Sequence, residues 1–577
     1  MAVIKFARWI MCAGVFLGTL GCGAKPLPPP LPPQVAATDA LAAHSALFRK
    51  GVEKVADGVY AAIGYSLANV ILLEGDDGVV IVDSLESRGR AEEVLASFRA
   101  ITTKPVKALI LTHNHADHVF GGLVFTGGDA SIPVYAHATC SEYIDRIVSV
   151  VNDATYTRSM RMFGQLLRES GAPNAGIGPG LDFHAEQMAL ARPTQTFEDT
   201  LDIEVAGLKI QLIHAPGETP DQICVWLPEK KVLIPADNIY QAFPNLYTIR
   251  GTTNRDVMEW VKTIDLFRAL EAEYLVPCHT RPLVGRDAIA ETLTAYRDAI
   301  QFVHDQTVRG MNQGKTPGEL AATIRLPPHL ESHPWLQPFY GTVPWSVKGI
   351  YDGYLGWFDG NAATLEPLSP AERSKHWMEA FTAGKPLPDQ AKDALAKKDF
   401  AWAAELTDHW LRLEPDNAEA RTTLAAAFEG LGAAHTSPNG QNYFAMQAAE
   451  LRGLLTITPT DKSTLPDDFV ESLPLERFMR ALPVRLHAED TLDLDEVAAF
   501  HFTDVDKHYT VHIRRGVAEV REENRADAAL SITTTSSIWK RLATKKLGAP
   551  QALLTGDLQV EGGVLALRKF MGYFEEN

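Results

Sequence analysis

Between residues 50 and 290 the chain alternates short apolar runs with stretches of helical periodicity. Residues 59–63 and 70–73 read as strands. Glu74-Gly75-Asp76-Asp77-Gly78 reads as a turn, and its Asp77-Gly78 pair between two apolar runs predicts a hairpin. Val79-Val80-Ile81-Val82 is apolar without alternation, as in a strand covered on both faces, and it ends on an acid, Asp83. Residues 90–100 read as a helix. Residues 106–111 read as another buried strand, which runs directly into Thr112-His113. Strands separated by helices predict an α/β domain.

From about 370 to 455 the period becomes helical. Asp399-Phe400-Ala401-Trp402-Ala403-Ala404-Glu405, followed by Leu413-Glu414-Pro415-Asp416-Asn417-Ala418, resembles a tetratricopeptide-like helical hairpin. Little more than one such unit is visible, so a helical packing or dimerisation domain is expected rather than an extended array. From about 460 alternation returns. Residues 498–502 and 509–513 read as strands and 537–544 and 564–572 as helices, which makes an α+β domain.

Length agrees with this division: 577 residues exceed one ordinary core and predict roughly three or four domains. Apolar content of 46% and charged content of 22% are ordinary for a soluble globular protein. The net charge of −18 argues against a nucleic-acid binder and leaves any anion to be captured by local cations or metal. The first residues add an export signal. Lys5 and Arg8 precede an apolar run over 9–20, too short to span a bilayer comfortably. Thr19-Leu20-Gly21-Cys22 then resembles a bacterial lipoprotein cleavage box, departing from it at Thr19 and at the bulky Leu20. The expectation is a signal peptide over 1–22 with lipidation at Cys22; ordinary cleavage and an uncleaved anchor are the alternatives. A proline-rich linker over 23–45 would follow, extended as polyproline II. The protein would thus be exported, as a periplasmic or membrane-anchored lipoprotein of a bacterium. Beyond the signal, Cys140, Cys224 and Cys278 give no disulfide framework and read as buried thiols, Cys278 having a ligand role as its alternative.

The densest chemistry lies in Thr112-His113-Asn114-His115-Ala116-Asp117-His118. Imidazole and carboxylate suit zinc-like metals. Residues two apart point the same way only on extended backbone, so a strand end and turn can aim His113 and His115 at one metal and Asp117 and His118 at another. This motif resembles the signature of the metallo-β-lactamase superfamily, whose domain is an αββα sandwich. The resemblance continues with Asp83 as an orienting acid behind the metal ligands. Glu218 stands where most of the superfamily has its third histidine, Asp237 at the bridging carboxylate and His279 at the last histidine. His214 is a rival to Glu218.

The glutamate variant, the segment Asn245-Leu246-Tyr247-Thr248-Ile249-Arg250-Gly251 and the runs around Arg161 and Phe339-Tyr340-Gly341 resemble the alkylsulfatases. The resemblance implies a hydrolase domain over 46–310, a helical dimerisation domain over 311–455, and a sterol-carrier-protein-like α+β domain over 456–577. It implies a homodimer with two zinc ions, manganese or iron being alternatives. His113, His115 and Glu218 would hold one ion, and Asp117, His118 and His279 the other, with Asp237 bridging. Asn245 and Arg250 would hold the sulfate of an alkyl sulfate or similar amphiphilic ester, Arg by its planar fork of donors. Asp117 and Asp237 also enter as catalytic groups. The family usually has Ser where Asn114 stands and Glu where Asp237 stands. Other esters, thioesters, phosphoesters or lactams are alternative substrates, and a non-catalytic lipid- or sulfate-binding lipoprotein is the alternative of another class.

Overall fold

The computed structural model describes residues 35–574 except 150, 168–170, 382–383 and 526–527. The signal over 1–22 and the proline run lie outside the described residues. The linker expected up to residue 45 does not extend that far. Val35–His44 is a helix, Leu41 is fully buried, and His44 Nε2 donates to the Gly176 carbonyl at 2.8 Å. The alanine-rich composition after Pro33 favours helix once the prolines end.

Two sheets form the centre of the hydrolase domain. The first holds β1 (Gly51–Ala56), β2 (Val59–Ile63), β3 (Val70–Glu74), β4 (Val79–Val82), β5 (Val106–Ile110), β6 (Val134–His137) and β7 (Gln195–Phe197), in that order. The first four strands are an antiparallel meander, and β4 to β7 are parallel. The second sheet runs from β8 (Thr200–Val205) through β9 (Leu208–His214), β10 (Ile223–Leu227), β11 (Val232–Ile234) and β12 (Tyr274–Leu275) to β13 (Leu283–Val284). Strand periodicity sorts β4 cleanly. Val80 and Val82 meet Leu212, Val225 and Ile234 between the sheets, while Val79 and Ile81 face Val94 and Phe98 of helix Arg88–Arg99. On the far side, Trp226 and Leu233 pack under helices Val257–Ala269 and Arg286–Asn312. The result is a four-layer αββα sandwich.

The boundary expected at residue 310 does not divide two cores. Leu320, Ile324, Trp335, Val347 and Tyr351 share one buried cluster with Trp260, Phe267 and Leu293 of the hydrolase domain. Beyond it, helices Pro370–Ala380, Leu387–Ala396, Phe400–Leu413, Ala418–Ala434 and Pro438–Leu451 stack in succession. Asp399 and Asn417 cap two of them, accepting from the backbone N–H of Trp402 and Ala420. The last helix docks on Asn152–Phe163 through a two-pronged Arg161–Glu450 ion pair at 2.9 and 3.1 Å.

The carboxy-terminal sheet contains β14 (Asp495–Phe502), β15 (Lys507–Arg514), β16 (Val517–Arg521), β17 (Leu530–Thr534) and β18 (Gln559–Glu561) in the order 16-15-14-17-18. Trp539 and Phe570 cover Phe500 and Phe502 on one face. This domain is seated on the first: Phe469 and Leu473 complete the outer core of the hydrolase domain, and the Phe469 ring meets Phe120 edge-on. Among the described residues no helix is long and apolar enough to cross a membrane.

Candidate metal centre

β4 and β5 are parallel neighbours, so their ends emerge side by side. β4 ends on Asp83, whose φ of 62° turns the chain through the left-handed region. Its fully buried carboxylate accepts from Thr112 N at 2.8 Å, Thr112 Oγ1 at 2.8 Å and His118 Nδ1 at 2.7 Å. The chain beyond β5 bends at His113 and Asn114, is extended again at His115, and then makes the short turn Ala116–Val119, which folds Asp117 and His118 back beside His113.

Thr112 Oγ1 donates to Asp83 and lies 3.0 Å from His113 Nδ1. His113 Nε2 lies 3.0 Å from His115 Nδ1, and the Arg250 guanidinium reaches His115 Nε2 at 3.1 Å. Burial, with the charge of His118, brings His113 down to about 4, and burial with the charge of Arg250 holds His115 well below the usual range.

Opposite them, Asp237 Oδ2 lies 3.5, 3.4 and 3.1 Å from Nε2 of His113, His118 and His279. Asp117 Oδ2 lies 3.5 Å from Nε2 of both His118 and His279. His279 Nδ1 donates to the Leu67 carbonyl at 2.9 Å, as His118 Nδ1 does to Asp83, so both rings turn Nε2 inward. Burial opposes charge on His118, yet Asp237, Asp117 and Asp83 hold its pKa well above the usual value. Burial likewise opposes charge on Asp237, and His118, His279 and His113 hold its pKa well below the carboxylate range. Such a site gathers positive charge. Asp237 Oδ1, His118 Nε2 and Glu218 Oε2 are buried without a hydrogen-bond partner, each costing about 1–3 kcal/mol if left so. Inward nitrogens, acceptor oxygens and unmet partners fit divalent cations. His113, His115 and Asp237 form one group with ligand atoms close enough for an ion, and Asp117, His118 and His279 form another.

Glu218 lies outside both groups. Its backbone N donates to Asn238 Oδ1 at 3.1 Å, and a side chain on the preceding Gly217 would strike the Trp260 ring. Its Oε1 pairs with Arg255 at 2.8 Å, both side chains being 2% exposed or less. Burial raises Glu218 to about 7 against the pull of Arg255. His214 is elsewhere, stacked on His137 with its Nε2 donating to the Pro220 carbonyl. Cys278 is free and buried, with its sulfur beside Asp83 and His118; Cys140 and Cys224 are also free and buried.

Arg250 and Asn245 sit on one loop. Arg158 clamps it through the Ile249 carbonyl at 2.7 and 3.1 Å. Asn245 N donates to the Tyr240 hydroxyl at 2.8 Å, and both atoms of its buried amide are without partners. Three residues of the surroundings carried no visible mark in the sequence. Arg255 precedes the helix cap Asp256 and reads there as a surface cation. Asp221 accepts from Asn114 Nδ2 at 2.5 Å, tying down the residue between the two histidines. Glu86 is fully buried, accepting from Ser66 and from Asp182 N.

Two expectations arise here. Asp83→Asn removes the charge that orients Thr112 and His118, and metal affinity should fall about 10–100-fold in a chelator competition. Glu86 is raised to about 7, chiefly by burial, from an ordinary 4.5. Its contribution to stability is therefore complete below about 4.5 and is lost as pH rises through about 7. Urea unfolding of Glu86→Gln should show a flatter profile between these limits than the parent, and an unchanged slope would contradict this.

Comparison with known proteins agrees with the geometry. The metallo-beta-lactamase superfamily profile matches residues 63–279, the alkyl sulfatase dimerisation profile 316–453, and the alkyl sulfatase C-terminal profile 463–577. A linear primary-alkylsulfatase of Pseudomonas sp. (strain ATCC 19151) is 36% identical over 87% of this chain and 98% of its own. An (R)-specific secondary-alkylsulfatase of Pseudomonas sp. is 28% identical over 91% of this chain and 81% of its own. Among solved structures, the stereoselective inverting sec-alkylsulfatase Pisa1 from Pseudomonas sp. superposes with a TM-score of 0.86 at 25% identity, covering 94% of this chain and 87% of that one. The chain belongs to the alkylsulfatase family, with a catalytic domain of the metallo-β-lactamase superfamily.

Proposed function

We propose that this chain hydrolyses alkyl sulfate esters to alcohol and sulfate with two metal ions, zinc being the ion best suited to its ligands. The observation that carries the reading is the Arg250 guanidinium, 3.1 Å from His115 at the edge of the imidazole–carboxylate cluster. A fixed cation beside a metal centre suits a tetrahedral oxyanion ester. In this reading His113, His115 and Glu218 would hold one ion and Asp117, His118 and His279 the other, with Asp237 available to both. Bound there, the ions supply Lewis acidity and the means to acidify water at neutral pH. Asp83 fixes the His118 ring and, through Thr112, the His113 ring. Arg250 and the unpartnered Asn245 amide bind the sulfate. Burial of the cluster keeps bulk water away.

The solved relative is described as a stereoselective inverting sec-alkylsulfatase, and inversion at the carbon of a secondary alcohol follows from attack at carbon with release of sulfate. Cleavage between carbon and oxygen is likewise proposed here, so the alcohol should take its oxygen from ¹⁸O-water. We also propose that two copies associate through the helical domain. The sterol-carrier-like carboxy-terminal domain would shield alkyl tails; Leu554 and Leu565, 89% and 82% exposed, support this. Export behind residues 1–22, with Cys22 as the lipid attachment point, completes the proposal; the basic start and apolar run support it.

The test is sulfate release from dodecyl sulfate, with and without chelator. Release that the chelator abolishes and added zinc restores is expected. A protein with two bound metals that releases no sulfate would overturn the substrate while leaving the centre in place.

A further inference from the structure

Glu218 presents an electrostatic problem. Most of the superfamily has a neutral imidazole at this position, and a carboxylate adds a negative charge to a buried cluster that already holds Asp117 and Asp237. The structure also supplies the opposite charge. Arg255 is buried to the same degree as Glu218 and grips its Oε1 at 2.8 Å. Oε2 is left buried with no partner. The same Arg255 nitrogen donates to the Asn245 carbonyl, on the loop that carries Arg250. An Arg with a single carboxylate engaged at one oxygen leaves that carboxylate one oxygen to offer and no net charge.

We propose that Arg255 is a positioning residue for the metal centre: it cancels the charge of Glu218 and turns a single Glu218 oxygen toward the metal, so that the pair replaces a neutral histidine. This rests on the proposed ligand role of Glu218. Charge balance then makes residues 218 and 255 a linked pair. A histidine at 218 leaves Arg255 as a buried cation without a counter-charge, and removal of Arg255 alone leaves Glu218 overcharged and free to rotate. Each single change should damage the centre, and the two together should repair it.

The experiment measures metals per chain and resistance to a competing chelator, with zinc as the probe, in the full-length protein. Arg255→Met should lower zinc affinity about 10–100-fold, the usual scale for losing a group that orients a ligand. Arg255→Lys keeps the charge and should recover much of that loss. Glu218→His alone should also bind zinc weakly, and Glu218→His with Arg255→Met should bind it more tightly than either single variant. If Arg255→Met does not fold, the comparison of Glu218→His with the double variant still decides. Overturning results are an Arg255→Met protein with parental zinc affinity, or a double variant no better than Glu218→His. Glu218→Gln separates the underlying reading. If it keeps both zinc ions at full affinity, Glu218 is not a ligand. If it loses one while Arg255→Met keeps both, Glu218 is a ligand and only the role of Arg255 falls.

Discussion

Arg250→Ala is expected to lower kcat/KM for dodecyl sulfate by about 10²–10³-fold, the cost of losing one fixed donor to a developing oxyanion. The guanidinium reaches the centre through His115 and is steadied by Thr248 Oγ1 at 3.3 Å, so it is positioned before substrate arrives. Metal content should not change, because Arg250 is not a ligand. Arg250→Lys keeps a point charge but not the planar fork, and should fall between the two. The measurement is initial-rate sulfate release beside metal analysis of the same preparation. If alanine leaves kcat/KM within a few-fold of the parent, Arg250 is not the sulfate clamp. If the rate and the metals are lost together, the residue supports the centre rather than the substrate.

Asp237→Ala should have the larger effect. One oxygen of Asp237 lies within 3.1–3.5 Å of three imidazoles, and its other oxygen is buried and unmatched. Its removal leaves those imidazoles without their shared counter-charge and separates the two halves of the site. Bound metal should fall below two per chain and turnover by roughly 10⁴-fold, the scale on which one member of an interdependent catalytic set is lost. Asp237→Glu restores the longer acid usual in the family and should retain both ions. Two metals in Asp237→Ala would show that the carboxylate does not link them.

Most of the sandwich could be read from the chain because its strands are both short and strongly patterned. The runs at 59–63 and 79–82 are strands with those limits, and the acid after the second one holds Thr112 and His118 as an orienting group should. The histidines and aspartates of the centre were legible because their chemistry is rare and closely spaced. Arg255 was not, since a lone arginine ahead of a helix looks the same whether solvated or buried; only the fold brings it to Glu218, 37 residues earlier. The helix over 35–44 was hidden by the prolines before it. The core shared across residue 310 was not legible, because the pattern of a segment shows which of its faces is apolar but not which core that face joins. Leu320 and Val347 join the buried cluster of Trp260 by tertiary packing alone. Phe469 and Leu473 were missed for the same reason.

That shared core has a consequence for how this architecture can be taken apart. The 27-residue helix Arg286–Asn312, about 40 Å long at 1.5 Å per residue, joins the catalytic sheet to the segment leading into the helical region. A chimera joined at residue 310 would pull Trp335 and Val347 out of their packing and expose both halves of one apolar surface. The helical region is therefore not an exchangeable cassette, and any graft must keep residues 215–351 together.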